Sequence, residues 1–118
     1  MRLVASAQFL LQRIPVVGGL AYIERVQRLP TSFTAALATE KDNRYFRHAI
    51  AVLVNGEKIG YVAPEIAPHY YEALLAREGQ PVTCPGRRAA AIDREETGVE
   101  TLLDFSSLDV TASADAAR

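Results

Sequence analysis

The sequence predicts a small, mostly β, α+β domain in which five or six short strands close like a barrel beside one main helix. Short apolar runs separated by turn signals occupy most of the chain. The pair Asn55-Gly56 lies between two of these runs and is the strongest short-range signal for a hairpin. Helical spacing of apolar residues extends over only about three turns, at about residues 65–78. The length of 118 residues is enough for one such domain.

The strands are predicted from β-branched and apolar runs between turn residues. The first, VVGGLAYIERV from Val16, contains a double glycine that suits a bulge or a bend. FTAALATE follows the turn signal LPTS, and HAIAVLV at 48–54 pairs across the Asn55-Gly56 turn with KIGYV at 58–62. The runs QPVTCPGRRAAAI and GVETLLDF are predicted to be the two closing strands.

The helix is predicted to open at the AlaProGluIle run of residues 63–66. Tyr70 and Leu74 lie one helical turn apart, which predicts that both face inward. Pro68 either lies within the first turn or delays the start of the helix to its own position. Gly79 is a suitable residue to end the helix.

The chain is predicted to be one domain over residues 1–106, followed by a flexible tail at 107–118. Residues 1–15 are either an N-terminal extension or an additional strand. A single cysteine, Cys84, excludes an internal disulfide framework and fits a reducing compartment. Because no 18-residue uncharged apolar stretch exists, we expect no membrane span and a cytoplasmic location.

Charge is distributed unevenly between the two halves of the chain. The formal net charge of −1 argues against a protein that coats nucleic acid by bulk electrostatics. Residues 1–60 hold eight Lys and Arg against four Asp and Glu, which gives +4, whereas residues 61–118 hold five against ten, which gives −5. This asymmetry indicates a charged partner for one half.

Four short motifs resemble those of a known family. They are GGLAYI at the entry, DNRYFRHAIAV in the middle, NGEKIGYV across the hairpin, and AlaProGluIleAla at the helix start. Over about residues 16–88 the chain thereby resembles the HIRAN domain, a module found in Swi/Snf-type helicases and as a free-standing bacterial protein. The resemblance implies an OB-like small β-barrel with helices, and binding of single-stranded DNA, especially at a free 3′ end.

The resemblance also implies roles for individual residues. Tyr22 and Tyr45 match positions whose aromatic rings stack on bases, and Arg47 matches a position where a basic residue commonly meets the backbone. The chain departs from the family pattern at four positions: Phe46 replaces an aspartate that helps to recognise the terminal nucleotide, His48 replaces an asparagine, Ala21 an arginine and Ile23 a second aromatic. Binding of an unpaired strand, which needs only π-faces and cations, is better supported than recognition of its end.

The run Arg44 to His48 contains both ingredients of a single-strand site, cations for phosphates and aromatic faces for bases. In an extended segment Tyr45 and Arg47 would face one side, and the other side would carry Arg44, Phe46 and His48. Phe46 is then either an extra stacking platform or a plug in the end-binding pocket. The candidate nucleic-acid-binding residues are Tyr22, Lys41, Arg44, Tyr45, Phe46, Arg47, His48, Lys58 and Tyr61.

A structural role for the same residues is the alternative. Tyr45 and Phe46 would then be core aromatics that close the barrel, with the arginines forming a solvated rim. Tyr61 either lines the groove or packs on the helix. Lys41 and Lys58 would be surface cations able to reach phosphates, whereas Arg87 and Arg88 follow a Pro-Gly turn and are predicted to be ordinary exposed residues.

Signals for an enzyme are weak. The chain has no Walker-type glycine loop, so it encodes no ATPase motor. Glu65, His69 and Glu72 have a helical spacing that a metal ion could bridge, but such a trio is commonplace on helix surfaces. Cys84 could act as a nucleophile beside a histidine, although its ThrCysProGly setting is typical of a small buried residue before a turn. We therefore expect no catalytic residue, no metal and no cofactor.

Two functions remain as hypotheses. The first is a non-enzymatic module that binds single-stranded or unwound nucleic acid, with a helicase, nuclease or restriction component in trans as its partner. The second is a protein-interaction or scaffold domain that has lost the DNA-end pocket. In the second, Phe46, with Phe9 and Leu10 of the N-terminal extension, would form an exposed apolar patch.

Overall fold

Six antiparallel strands form a closed barrel in a computed structural model that describes residues 11–90 and 99–108. Around the barrel the strand order is β1-β4-β3-β2-β5-β6, and β6 returns to β1. The strands are β1 Ile14–Val17, β2 Ser32–Thr39, β3 Ile50–Val54, β4 Glu57–Val62, β5 Thr83–Ala90 and β6 Val99–Leu103. A 3₁₀ helix spans Gly19–Tyr22, and two α-helices span Ile23–Gln27 (α1) and Pro68–Ala76 (α2). The predicted small, mostly β, α+β barrel is confirmed.

The β3–β4 hairpin forms around the turn that the sequence predicted. Asn55 has φ 53° and Gly56 has φ 80°, the positive angles that a two-residue type I′ turn requires. Strand β3 pairs with β2 on its other side, from Ala36 opposite Leu53 to Thr39 opposite Ile50. Strand β1 closes the barrel by pairing with both β4 and β6.

The core fills the barrel with aliphatic side chains. Its most deeply buried members are Ile50, Val52, Ile59, Val62 and Leu103. The helices add further buried side chains to this core: Val26 from α1, and Tyr70, Tyr71 and Leu74 from α2. Tyr70 and Leu74 face inward as their spacing predicted. The barrel therefore has a packed interior, and any ligand surface must lie on its outside or at its rim.

The entry segment differs from the prediction. Only Ile14–Val17 is a strand; Gly18 takes φ 78°, and the chain then enters the 3₁₀ helix and α1. The β-branched composition suggested a strand, but helical curvature brings Val26 and Leu29, three residues apart, into the core. The prediction that Tyr22 lies on a strand is wrong, because it is the last residue of the 3₁₀ helix.

Helix α2 takes the later of its two predicted starts. Residues 63–67 form hydrogen-bonded turns, with Ala67 N donating to Ala63 O at 3.0 Å, and the helix begins at Pro68. Proline at the first helical position lacks only an N–H that would have had no partner in the helix. Pro64 lies within these turns, and this approach to the helix forms one wall of the site below.

Several predictions fall at or beyond the limits of the described residues. Residues 1–10 and 109–118, which include Phe9, Leu10 and most of the predicted tail, lie outside them, as does the end of the run QPVTCPGRRAAAI. Residues 14 and 15, predicted to be extension or strand, begin β1. None of the helices in the described ranges has the length and apolar composition of a membrane span.

Candidate nucleic-acid interface

A cleft of about 280 Å³ opens between the loop that follows β2, strand β4 and the approach to α2. We call it the aromatic cleft. It is lined by Tyr45, Phe46, Arg47, His48, Ala49, Tyr61, Val62, Pro64, Ala67 and Pro68. Five of the nine candidate residues therefore lie around one concavity. Phosphate and base contacts could both be made there, because aromatic and cationic side chains share its rim.

Hydrogen bonds within the loop of residues 40–49 define its conformation. At its base, Glu40 N donates to Ala49 O at 2.9 Å. Near its tip, the Asn43 side-chain oxygen accepts hydrogen bonds from the backbone N–H groups of Tyr45 and Phe46, both at 2.8 Å. An asparagine that bonds to its own backbone two residues on is a typical turn former. The turn directs the next two side chains to different environments.

The aromatic residues of the loop are presented in two ways. Tyr45 is 88% exposed, so both faces of its ring are accessible. Phe46 is half-buried and packs on Tyr61, with ring centroids 5.7 Å apart and planes tilted by 51°. His48 is also half-buried and meets the buried Tyr71 edge to face at 5.1 Å. Tyr45 is thus a free stacking platform, whereas Phe46 fills part of the cleft floor.

The expected separation of Tyr45 and Arg47 from Phe46 and His48 is wrong. The segment is a series of turns and not an extended strand, so successive side chains do not alternate between two faces. All four side chains line the same cleft. The interpretation of Tyr45 as a core aromatic is also wrong, since the core lies elsewhere.

Four polar side chains form a hydrogen-bonded group that reaches the cleft through Tyr61, the member that lines it. We call this group the Glu40 network: Glu40, Asn43, Lys58 and Tyr61. Glu40 Oε1 accepts from Tyr61 Oη at 2.8 Å and from Asn43 Nδ2 at 3.1 Å. Glu40 Oε2 forms an ion pair with Lys58 Nζ, which also donates to Tyr61 Oη at 2.9 Å. The network ties β4 to the loop.

The charges of this network are stabilised by mutual contact. Burial of Glu40 acts to raise the pKa of its carboxyl, but the hydrogen bonds from its three partners outweigh burial and lower the pKa. The hydrogen bonds of Lys58 to Glu40 and Tyr61 raise the pKa of the ammonium. Both groups are therefore charged at neutral pH and compensate each other.

The four candidate cations differ in whether a carboxylate already pairs with them. Lys58 is in the Glu40 network, and Lys41 forms an exposed ion pair with Glu78 at 3.2 Å. Arg44 and Arg47 are exposed, and neither is paired with a carboxylate in the part of the chain that the structure describes. Arg47 lines the cleft and Arg44 precedes Tyr45 in the same loop, so these two arginines have the charge most available to an anionic ligand.

Tyr22 lies beside the cleft and is not part of its lining. The Arg25 guanidinium lies 5.5 Å from the centre of the Tyr22 ring, and Arg25 Nη1 donates to Lys58 O at 2.8 Å. Gly18 brings this segment next to the cleft floor, since a β-carbon there would lie 3.7 Å from Tyr61 Cδ1. Tyr22 and Arg25 are thus placed to extend the surface along β4.

Three residues of this region were missed from the sequence: Arg25, Glu40 and Asn43. The Asn43 turn could have been predicted, because an asparagine in a loop often accepts hydrogen bonds from the backbone two residues on and so forms a turn. Two partners of Glu40, Lys58 and Tyr61, are on β4, and the contact of Arg25 with Tyr22 depends on a helix where a strand was expected. Neither could be read from local spacing.

The groups considered for other chemistry are not assembled into a site. No cluster of three or more His, Cys, Asp or Glu able to hold a metal exists among the described residues, so Glu65, His69 and Glu72 do not form one. Cys84 is buried in β5. Burial, with a smaller effect of the Asp104 charge, raises the pKa of its thiol to about 12. A thiol in this state is a poor nucleophile.

Cys84 should therefore resist thiol reagents in the native protein. We expect labelling by a chromogenic disulfide reagent at pH 8 to be at least about a hundredfold slower than in urea-unfolded protein, because both burial and the raised pKa suppress the thiolate. The labelling rate measures this directly. Equal rates in native and unfolded protein would show that the strand opens readily around Cys84.

No protein-family model and no curated protein matches the chain. Among solved structures, it is similar to the crystal structure of the HIRAN domain of human HLTF, with a TM-score of 0.52 and 17% sequence identity. The match covers 88% of this chain and 77% of that chain. At this identity the likeness shows the fold alone. The chain thus has a HIRAN-like fold, as its motifs predicted.

Proposed function

We propose that this chain is a non-enzymatic module that binds single-stranded or unwound nucleic acid, most directly DNA, at the aromatic cleft. The observation that carries the proposal is the position of Tyr45, 88% exposed on a turn fixed by Asn43, beside the exposed Arg47 on the rim of one cleft. A base would stack on Tyr45 while Arg47 and Arg44 meet the flanking phosphates. The HIRAN-like fold and the implied activity of that family agree with this assignment.

The cleft floor favours binding along a strand over capture of its end. Phe46 replaces an acidic residue of the family pattern and packs against Tyr61, so an apolar ring occupies the floor. An apolar ring offers no acceptor for a terminal hydroxyl. We therefore propose that a free 3′ end is not required. The module would place a strand for a helicase, nuclease or restriction component acting in trans.

The competing function, a protein-interaction scaffold, needs a contiguous exposed apolar patch. Phe46, which was expected to be part of such a patch, is half-buried against Tyr61. Among the described residues, the large exposed hydrophobic side chains are Leu20 and Tyr45. Phe9 and Leu10, the other expected members, lie outside the described residues. The aromatic cleft therefore gives the nucleic-acid function the stronger support.

The change Arg47→Gln tests the phosphate contact. It keeps most of the side-chain length and removes the charge, so we expect about threefold weaker binding of a labelled oligothymidylate at low salt. The slope of log K against log salt should become shallower by about 0.7, the value for one phosphate contact on a single strand. Because Arg47 is exposed, the melting temperature should not change.

Arg87→Gln is the matched control. Arg87 is an exposed arginine on β5 and lines a different surface groove with Phe33 and Pro85. The control should leave both affinity and salt slope unchanged. If the two variants lose affinity equally, binding depends on overall charge and not on the aromatic cleft. If Arg47→Gln unfolds the domain, the arginine is structural.

A further inference from the structure

We infer that Glu40 is a positioning residue of the aromatic cleft, whose carboxylate, held by Lys58, sets both the Tyr61 ring on the floor and the turn that presents Tyr45. The inference rests on the proposed function for its ligand. It gives a role to Glu40 and Asn43, for which no contact with nucleic acid was predicted, and it gives Lys58 a role different from the phosphate contact first expected of it.

The geometry is a continuous chain of hydrogen bonds from β4 to the loop tip. Tyr61 Oη donates to Glu40 Oε1 at 2.8 Å, and Asn43 Nδ2 donates to the same oxygen at 3.1 Å. The Asn43 oxygen then accepts from the backbone of Tyr45 at 2.8 Å. One carboxylate oxygen is thus shared by the ring on which Phe46 packs and by the residue that shapes the Tyr45 turn.

The ion pair with Lys58 makes this arrangement compatible with an anionic ligand. The side chains of Glu40 and Lys58 are each 27% exposed, so the pair is partly shielded from solvent. An unpaired carboxylate in contact with Tyr61 would repel phosphates at the cleft, whereas the paired carboxylate adds little net field. Lys58 in turn cannot give its full charge to a phosphate without leaving Glu40 and Tyr61.

Two possible roles for Glu40 predict opposite effects of the change Glu40→Gln on the affinity for DNA. If Glu40 acted only through its charge, Glu40→Gln would remove a negative charge near the cleft and strengthen binding of DNA. If Glu40 positions the aromatic residues, the same change removes the ion pair and weakens two hydrogen bonds, and binding weakens. We expect about fivefold weaker binding of labelled oligothymidylate.

Asp42→Asn provides the matched control. Asp42 is an exposed acid two residues away in the same loop and makes none of the contacts of the Glu40 network. This variant should bind as well as the wild type or slightly more tightly. Binding by Glu40→Gln at or above wild-type affinity would overturn the inference, as would equal weakening in both variants.

The salt dependence separates the two roles of Lys58. A positioning role predicts that Lys58→Gln lowers affinity but leaves the salt slope unchanged, because its charge is already compensated. It also predicts that the double variant Glu40→Gln/Lys58→Gln is no weaker than the weaker single variant, since both disrupt one unit. A slope shallower by about 0.7, with additive losses, would instead make Lys58 a direct phosphate contact.

A readout without ligand keeps the inference separate from the proposed function. Hydrogen exchange of the Tyr45 and Phe46 amides, measured by NMR at 15 °C, reports the Asn43 turn directly. Glu40→Gln should speed their exchange severalfold, and Asp42→Asn should not. Unchanged exchange in Glu40→Gln overturns the inference even if the protein binds DNA. Faster exchange with no DNA binding by the wild type sustains the positioning role and rejects the function.

If Glu40→Gln does not fold, Tyr61→Phe is the substitute, because it removes only the hydroxyl from the Glu40 network. We then expect a smaller loss of affinity, about twofold, and faster exchange of the same two amides. Tyr61→Phe with affinity and exchange both equal to wild type would overturn the inference in that case.

Discussion

Replacing Tyr45 with alanine should weaken binding of single-stranded DNA by about tenfold or more, the largest loss of affinity expected from any one side chain. A base stacked on an aromatic side chain contributes roughly 1–3 kcal/mol. Tyr45 is 88% exposed and its ring makes none of the aromatic contacts that hold Phe46 and His48. The loss should therefore appear in the dissociation constant and not in the melting temperature, which we expect to stay within about 2 °C.

Tyr45→Phe is the control for this substitution. It keeps the π-face and removes only the hydroxyl, so the affinity should remain within about twofold of wild type. Fluorescence anisotropy with an oligothymidylate measures both variants under the same conditions. Wild-type affinity for Tyr45→Ala would show that no base stacks on Tyr45. A large loss of affinity in Tyr45→Phe would show that the hydroxyl makes a specific contact.

Replacing Gly60 with alanine should destabilise the barrel by about 3 kcal/mol or more, the largest loss of stability expected from a single methyl group. A β-carbon at Gly60 would lie 2.5 Å from Val17 O and 2.8 Å from Val16 Cγ1. The first contact is with backbone, so no side-chain rotation relieves it. Strand β1 would have to move away from β4 at the pairs that close the barrel.

The destabilisation should lower the melting temperature by about 10 °C or more. Gly56→Ala is the matched control, since Gly56 also has positive φ, at 80°, but its β-carbon would meet no atom within 4 Å. We expect that variant to lose only about 1 kcal/mol, from backbone conformation alone. Thermal unfolding of both variants measures the difference. Equal losses would mean that the close approach of β1 to Gly60 costs little.

The elements that could be predicted are those that local chemistry specifies. The β3–β4 hairpin followed from Asn55-Gly56, whose conformational freedom selects the turn without reference to the rest of the chain. The inward face of α2 followed from Tyr70 and Leu74 in the same way. Both depend on neighbours within about four residues, and both are confirmed.

The wrong predictions concern segments whose conformation depends on contacts with residues far away in the sequence. The segment after Val17 has strand-like composition, yet it coils so that Val26 and Leu29 reach the core. At the candidate site, five of the nine candidate residues line one cleft, and the other four do not: Tyr22, Lys41, Arg44 and Lys58. The ion-pair partners of Lys41 and Lys58, however, were not foreseen, because they lie on other elements and meet only in the closed barrel.

Whether the domain binds unpaired DNA can be decided by fluorescence anisotropy of the wild-type protein with three labelled DNAs at two salt concentrations. They are a single strand with a free 3′ hydroxyl, the same strand with a 3′ phosphate, and a blunt duplex. We predict salt-sensitive binding of both single strands with equal affinity, and weaker binding of the duplex. Preference for the free 3′ end would contradict the role given to Phe46. We take a dissociation constant of about tens of micromolar as the weakest functional affinity. If the protein binds none of the three DNAs at that concentration, the result would contradict the nucleic-acid function itself.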